Sequence, residues 1–336
     1  MNFYVHTSFN LDLLNFMNIL TGEKFYTDHH KGIYERFGDN LSNESKGRIK
    51  ESVKINRSAM LGPLLSLVIS AVPNFKKRSL IQMLEDPAFL ESCMKMYQYY
   101  DEGLWSERAP IFEILIPVIQ EVEENGFQSY WEEERLPVIQ KKERQLRTYA
   151  RKFQLDEEIE LMLGEGQAPE SITVYLCSFA APHGIKICGP KYISDVAFSL
   201  KTTLGIAVHE MFHPPYDARN LEAELARLGN DPLLQHAFKT KDPKYGYPTM
   251  TGFIEENVVE AMAIFICHMI GLEDDPLGYF ASHDDGSHML SVVLFDTFGK
   301  HPKSKAQPFE DYFREILKQM PVGSLDREYD KITNKN

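Results

Sequence analysis

The side chains most able to do chemistry lie in one short string, His209-Glu210-Met211-Phe212-His213. On a helix, residues four positions apart project from the same face about one turn apart, so His209 and His213 can both reach a single ion. Imidazole nitrogens bind zinc at about 2.0–2.1 Å, and a glutamate directly after the first histidine can take a proton from a water molecule on that ion. The string therefore predicts a catalytic zinc (Zn²⁺) site in which Glu210 is the general base.

A chain of this length seldom carries such a string by accident. With 11 histidines in 336 residues, chance gives on the order of a few hundredths of an occurrence. Apolar residues upstream recur at steps of three and four and predict the buried face of one helix: Ala197, Leu200, Leu204, Val208 and Met211. The two histidines are therefore expected on one side of an amphipathic helix.

A zinc site of this kind needs a third protein ligand, and the apolar segment 252–270 carries the candidates. Glu256 and Glu260 lie four residues apart and share a face of the predicted helix. Burying a carboxylate is costly unless it has a partner, and a cation with its histidine ligands supplies one. Either glutamate is a candidate ligand on this reasoning, and the remaining alternative is a pair of exposed carboxylates at a helix edge.

HEMFH on one helix and E-x-x-x-E on a later helix resemble the gluzincin zinc metallopeptidases, the thermolysin-like clan. The resemblance implies that Glu256 is the third ligand and that Glu260 orients the ring of His209 through its other nitrogen. A second register, in which Glu260 is the ligand and Ala263 completes an E-x-x-A pattern, matches other branches. The resemblance covers residues 171–300, and a helical region before the HExxH half is similar to the layout of uncharacterised bacterial members.

The same resemblance implies two further features of a peptidase site. An extended peptide substrate pairs with the edge strand before the HExxH helix, which here is Gly184–Cys188 or the residues next to it. A side chain beside the ion stabilises the oxyanion that develops on the substrate carbonyl. The candidates for that role are Tyr245, Tyr247, Tyr279, His283 and His288. Of these we select His288.

The elements that must position these residues predict an α+β fold that is mainly helical. A short strand is expected at Phe3–His6. Helices are expected in the first half at Leu11–Leu20, Ser58–Val72, Ser79–Leu84, Ala88–Tyr100, Ile111–Gln120 and Phe127–Leu155. A stretch that contains glycine and proline, Gly164–Pro169, marks a boundary. It separates a mostly helical N-terminal region, residues 1–165, from a zincin-like metallopeptidase region, residues 166–336.

The second region is expected to hold a small antiparallel or mixed sheet. Two β-like runs, Ser171–Ser178 and Gly184–Cys188, predict an antiparallel pair. The HExxH helix is expected to run from an N-cap at Ser194 or Asp195 to His213, where the following proline disfavours helical dihedral angles. Further helices are expected at 252–270, with a stop at Gly271, and at 287–298 and 308–320.

Composition argues against several classes of partner. The chain has 49 acidic and 36 basic residues and a formal net charge of −13, which disfavours binding to nucleic acid or to an anionic membrane. The four cysteines include no C-x-x-C pair and are expected to be free thiols, with a disulfide between Cys177 and Cys188 as the alternative. No segment has the pattern of a signal peptide or a transmembrane helix, which favours a cytoplasmic protein.

These observations lead us to expect a zinc-dependent peptidase that hydrolyses a peptide or protein substrate. The expected ligands are His209, His213 and Glu256, and Glu210 takes the proton of the zinc-activated water. One alternative is a non-catalytic metal-binding or regulatory protein on the same fold. Another is a helical interaction protein in which the motif is accidental. The intact Glu210 favours the enzyme, because a protein that only binds metal has no need of a general base.

Overall fold

The computed structural model describes residues 2–97, 100–153, 155–242 and 247–334. The fold is α+β: it is mainly helical and has a small mixed sheet of four strands. The chain forms two compact units, each made from separate stretches of sequence. We call Asn2–Ala150 with Ser171–Thr203 the sheet unit, and Arg151–Glu170 with Leu204–Asn336 the helical unit. Strands and helices are numbered along the whole chain.

The sheet unit is built around four short strands: β1 (Asn2–Thr7), β2 (Ser171–Cys177), β3 (Ile185–Ile187) and β4 (Lys191–Asp195). Their order in the sheet is β1-β2-β4-β3. β1 pairs in parallel with β2, β2 pairs in parallel with β4, and β3 is an edge strand antiparallel to β4. The prediction that the two β-like runs pair with each other was therefore wrong, because β4 lies between them.

The missed strand β4 also displaces the predicted start of the HExxH helix. Ser194 and Asp195, the predicted N-caps, lie at the end of β4 opposite Leu176 and Cys177 of β2. The last four residues of β4, from Tyr192 to Asp195, are buried, but the strand mixes lysine, serine and aspartate with its apolar residues. Such a short mixed run carries little of the alternation that predicts a strand.

The other elements of the sheet unit are helices: α1 (Phe9–Leu20), α2 (Lys24–Thr27), α3 (Lys31–Ile33), α4 (Asn43–Asn56), α5 (Leu61–Ala71), α6 (Leu80–Leu84), α7 (Pro87–Met94), α8 (Glu102–Arg108), α9 (Pro110–Glu124), α10 (Phe127–Tyr130) and α11 (Leu136–Ala150). A π-helical turn, Trp131–Arg135, joins α10 to α11. The helices predicted in this part of the chain are present. The ends differ most at α7, which stops at Met94, and at α11, which stops at Ala150.

Helix α1 lies in the interior of the sheet unit, although its sequence is only partly apolar. Every residue from Asn10 to Leu20 is buried. α1 packs closely against α5 at Gly62, where an added Cβ would come within 2.9 Å of the Cα of Asn15. The backbone N–H of Gly62 donates to Oδ1 of Asn18 at 2.7 Å. Polar residues of α1 are thus buried with specific partners from other elements.

The helical unit contains the elements α12 (Leu155–Leu163), α13 (Leu200–Met211, whose first residues belong to the sheet unit), α14 (Glu222–Leu228), α15 (Pro232–Thr240), α16 (Met250–Met269), α17 (Pro276–Ser282), α18 (Met289–Lys300), α19 (Phe309–Gln319) and α20 (Leu325–Thr333). α16 is buried along most of its length and packs against α12, α14, α17 and α18. Gly271, at φ +73°, follows the end of α16 as predicted. α16 is therefore the central helix of this unit.

Two smaller expectations concern cysteines and membrane helices. Cys177 and Cys188 are free thiols, as are the other two cysteines, so the alternative of a disulfide between them was wrong. Within the part of the chain that the structure describes, no helix is both long enough and apolar enough to cross a bilayer.

Candidate metal centre

The first half of the candidate site is set by α13 and the turn after it. The Oγ of Ser199 accepts the backbone N–H of Thr202 at 2.9 Å and caps the start of this helix, in place of the predicted caps. α13 ends at Met211, slightly before the predicted end at His213. His213 lies just past the helix, yet its Nε2 is 3.1 Å from Nε2 of His209. The two imidazoles of the motif therefore converge.

Helix α16 supplies a carboxylate at the point where the two rings meet. Oε1 of Glu256 is 3.3 Å from Nε2 of His209, and Oε2 of Glu256 is 3.5 Å from Nε2 of His213. Two ligands of one tetrahedral zinc ion, each at about 2.0–2.1 Å, are about 3.3 Å apart. The three distances between His209, His213 and Glu256 have this size. Ligand atoms of the three residues all lie within 4.8 Å of one another.

The outer nitrogen of each ring faces a second carboxylate of α16. Nδ1 of His209 is 2.7 Å from Oε2 of Glu260, and Nδ1 of His213 is 3.5 Å from Oε1 of Glu255. An Nδ1–H that donates to a carboxylate leaves Nε2 as the unprotonated nitrogen, which is the form that binds a metal. The structure thus places Glu256 against both inner nitrogens and Glu260 against an outer one. Glu255 is not among the sequence-predicted site residues.

Burial of these carboxylates makes the charge balance of the site informative. Glu256 is 9% exposed and Glu260 is 2% exposed, so the alternative of exposed carboxylates at a helix edge was wrong. Among the ion pairs of the described residues, both glutamates pair with histidines and with no lysine or arginine. Buried carboxylates are stable only with compensating charge or hydrogen bonds. A divalent cation between His209, His213 and Glu256 would supply that charge.

The pKa values of the site reflect the same arrangement. Burial by itself would raise the pKa of Glu256 and of Glu260, but His209 more than offsets it and holds each pKa at about 2. Burial would lower the pKa of His209, yet the two carboxylates raise it well above its usual value. Both glutamates are therefore anionic over the physiological range of pH, as metal ligation requires.

Two tyrosines lie beside the carboxylates. Burial, followed by the charge of Glu256, raises the pKa of Tyr247, and burial, followed by the charge of Glu260, raises the pKa of Tyr279. Both hydroxyls therefore stay protonated and can donate hydrogen bonds. Of the sequence-predicted oxyanion candidates, Tyr247 is the one next to a proposed metal ligand, while Tyr245 lies outside the described residues. The role of each tyrosine stays a prediction.

The remaining candidates form a neighbouring cluster. His288 precedes α18 with a fully buried side chain, and its Nε2 is 3.2 Å from Oδ2 of Asp284. The ring of His283 stacks on Tyr279 at 5.1 Å, and its Nε2 is 3.7 Å from Oε1 of Glu260. An oxyanion role for His288 stays a prediction. Asp284 is not among the sequence-predicted site residues, although a carboxylate four residues before a histidine is a recognisable pairing signal.

Glu210 follows His209 directly on α13 and is half-buried. In the motif, Glu210 lies within one helical turn of both histidines. Its role as general base stays a prediction.

Comparison of the chain with protein-family models, with curated proteins and with solved structures finds no match.

Proposed function

We propose that this protein is a zinc-dependent metallopeptidase with a zincin-like, gluzincin-type site. The observation that carries the proposal is the triangle of 3.1, 3.3 and 3.5 Å between Nε2 of His209, Nε2 of His213 and the carboxylate of Glu256. Two imidazoles and one carboxylate are a ligand set typical of catalytic zinc, because three protein ligands leave one position for substrate or water. The motif's own glutamate, Glu210, adds the general base that such chemistry needs.

The residues divide the work of hydrolysis between them. A zinc ion held by His209, His213 and Glu256 would supply Lewis acidity, which polarises a carbonyl group and makes a water molecule more acidic. Glu210 takes the proton of the attacking water and delivers it to the departing amine. Glu260 holds the ring of His209 in the orientation and tautomer that keep Nε2 on the ligand side.

Tyr247 is the better placed of the described candidates for stabilising a developing oxyanion. Its hydroxyl is protonated and lies against Glu256, whereas His288 is fully buried with Nε2 beside Asp284. A phenol that donates a hydrogen bond to developing negative charge contributes to catalysis in the same way as an oxyanion-hole amide.

The test of the ligand set is the zinc content of the purified, tag-free protein. We expect one tightly bound zinc in the wild type and none in His213→Ala or Glu256→Ala. Glu260→Ala is expected to keep the ion but to bind it about 10- to 100-fold more weakly, because Glu260 acts on the ion only through the orientation of His209. Wild-type protein that takes up no zinc after reconstitution would overturn the proposal and favour a helical interaction protein.

The test of the reaction is cleavage of a peptide library, followed by mass spectrometry. Glu210→Gln is expected to keep its tightly bound zinc and to lose about 10²- to 10⁴-fold of the cleavage rate. Glu222→Gln, an exposed glutamate on α14, is the matched control and retains wild-type activity. Tight zinc binding without any cleavage by the wild type would instead indicate a metal-binding or regulatory protein.

A further inference from the structure

A second group of metal-type side chains lies in the loop between α17 and α18. His283, Asp284 and His288 each place one ligand atom within 4.8 Å of the other two. The loop reaches this arrangement through two consecutive residues in the left-handed region, Asp284 at φ 45° and Asp285 at φ 55°. Left-handed backbone is unfavourable for residues other than glycine, although aspartate and asparagine tolerate it better than most. The cluster therefore exists against a backbone preference and not because of one.

Internal hydrogen bonds account for only part of this cluster. The side chain of His288 is 0% exposed, and its Nε2 meets Oδ2 of Asp284 at 3.2 Å. Among the described residues, Nδ1 of the same ring has no hydrogen-bond partner. A buried polar atom without a partner destabilises the fold, so such atoms are rare and usually have an interaction to make. The ring therefore offers one nitrogen to Asp284 and has one left for a further interaction.

The charges around the loop favour a cation. Within the described chain, Asp284 and Glu260 form ion pairs with histidines and with no lysine or arginine. Glu260 lies between the two groups: its Oε2 is 2.7 Å from Nδ1 of His209, and its Oε1 is 3.7 Å from Nε2 of His283. In their ion pairs these two carboxylates meet only imidazoles, and a positive ion would balance their charge most simply.

We propose that His283, Asp284 and His288 form a second site for a divalent transition-metal ion, adjacent to the HExxH centre. Two imidazoles and one carboxylate select a borderline ion such as zinc over magnesium or calcium, which prefer oxygen ligands alone. This assignment makes His288 a ligand and not an oxyanion donor, and it is independent of peptidase activity. Because Glu260 contacts both groups, an ion at the loop and an ion at the HExxH centre influence each other's affinity.

The second ion is expected to bind more weakly than the first. The side chain of His283 is 36% exposed, against 18% for His209 and 21% for His213. By contrast, the outer ring nitrogens at the HExxH centre face Glu260 and Glu255. Fewer orienting partners and more solvent reduce metal affinity.

The experiment is equilibrium dialysis of the tag-free, metal-stripped full chain against rising free zinc, with bound zinc read by elemental analysis. Wild type is expected to reach two equivalents. Asp284→Asn keeps the tolerance for left-handed backbone but removes the carboxylate, and we expect this variant to saturate at one equivalent of zinc. His283→Gln tests the same site at a more exposed position, where the side chain is 36% exposed, with the same expected result. Asp285→Asn, the neighbouring left-handed aspartate outside the cluster, is the matched control and reaches two.

His213→Ala separates this proposal from the proposed function. It is expected to lose the tight equivalent and keep the weaker one. If Asp284→Asn and His283→Gln both bind as many equivalents as the wild type, the second site is excluded, whatever happens at His213 and whether the wild type saturates at one equivalent or at two. If His213→Ala instead behaves as wild type while Asp284→Asn loses one equivalent, the HExxH ligand set is wrong and the loop site stands.

Discussion

Helices α1 and α16 both carry carboxylates into apolar surroundings, but the partners of those carboxylates differ in kind. Asp12 of α1 is 0% exposed and accepts from Nε1 of Trp131 at 2.6 Å and from the backbone N–H groups of Ser178 and Phe179 at 2.6 and 3.2 Å. On α16, Glu256 and Glu260 meet imidazole rings. Amide and indole donors hold a chain in place, whereas imidazoles also exchange protons and bind metals. The first arrangement is structural and the second is suited to chemistry.

The largest expected difference between the two regions is their response to metal. Zinc at about 1,000 times its dissociation constant stabilises the state that binds it by about 4 kcal/mol. We expect added zinc to slow hydrogen exchange of the α16 amides by the corresponding factor, measured against the same protein in chelator. Glu256→Ala should show no such response. Equal protection of α16 with and without zinc in the wild type would remove the distinction between the two helices.

Removing the carboxylate of α1 is expected to have the next largest effect. Asp12→Ala leaves three buried donors without their acceptor, and each costs about 1–3 kcal/mol, so the free energy of unfolding falls by about 3 kcal/mol or more. Both tryptophans of the chain, Trp105 and Trp131, belong to the sheet unit, so urea unfolding followed by their fluorescence reports this region. The control Glu51→Ala, at an exposed position on α4, should stay within about 0.5 kcal/mol of wild type. A small loss in Asp12→Ala would mean that the loop after β2 does not depend on this carboxylate.

The smallest expected effect is a pH dependence that belongs to Asp12. Burial raises its pKa to about 7, although hydrogen bonds from Trp131 and the loop oppose the shift. An aspartate in an unfolded chain has a pKa of about 3.9, so the folded state binds the proton of Asp12 more tightly than the unfolded state does. The resulting stabilisation is fully present below about pH 4 and is lost as the pH rises through about 7.

Asp12→Asn cannot titrate and serves as the reference for that dependence. Relative to this variant, the free energy of unfolding of the wild type should fall by about 1 kcal/mol between about pH 5 and about pH 6. The measurement is urea unfolding by tryptophan fluorescence at each pH. A constant difference between the two proteins would show that burial does not change the affinity of Asp12 for its proton.

Much of the helical content could be predicted from local pattern, because apolar residues at steps of three and four mark a helix wherever it packs. The sheet could not be predicted in the same way. β1 and β2 pair in parallel although the whole of α1–α12 separates them in sequence, and β4 enters between β2 and β3. Strand order depends on contacts between distant segments, which no local window of sequence contains. Asp12 was missed for the same reason, since all three of its donors are remote in sequence.

The sequence by itself determined which residues can do chemistry: the spacing of HEMFH brings two imidazoles to one side of a turn, and E-x-x-x-E places two carboxylates on one face of a helix. The tertiary structure decided how they meet. It sets Glu256 against the inner nitrogens of His209 and His213, sets Glu260 and Glu255 against the outer ones, and brings His283 next to Glu260. Helical spacing acts over a few residues and can be read locally. The distance between a ring on α13 and a carboxylate on α16 is set by packing between separate elements, and only the folded chain specifies it.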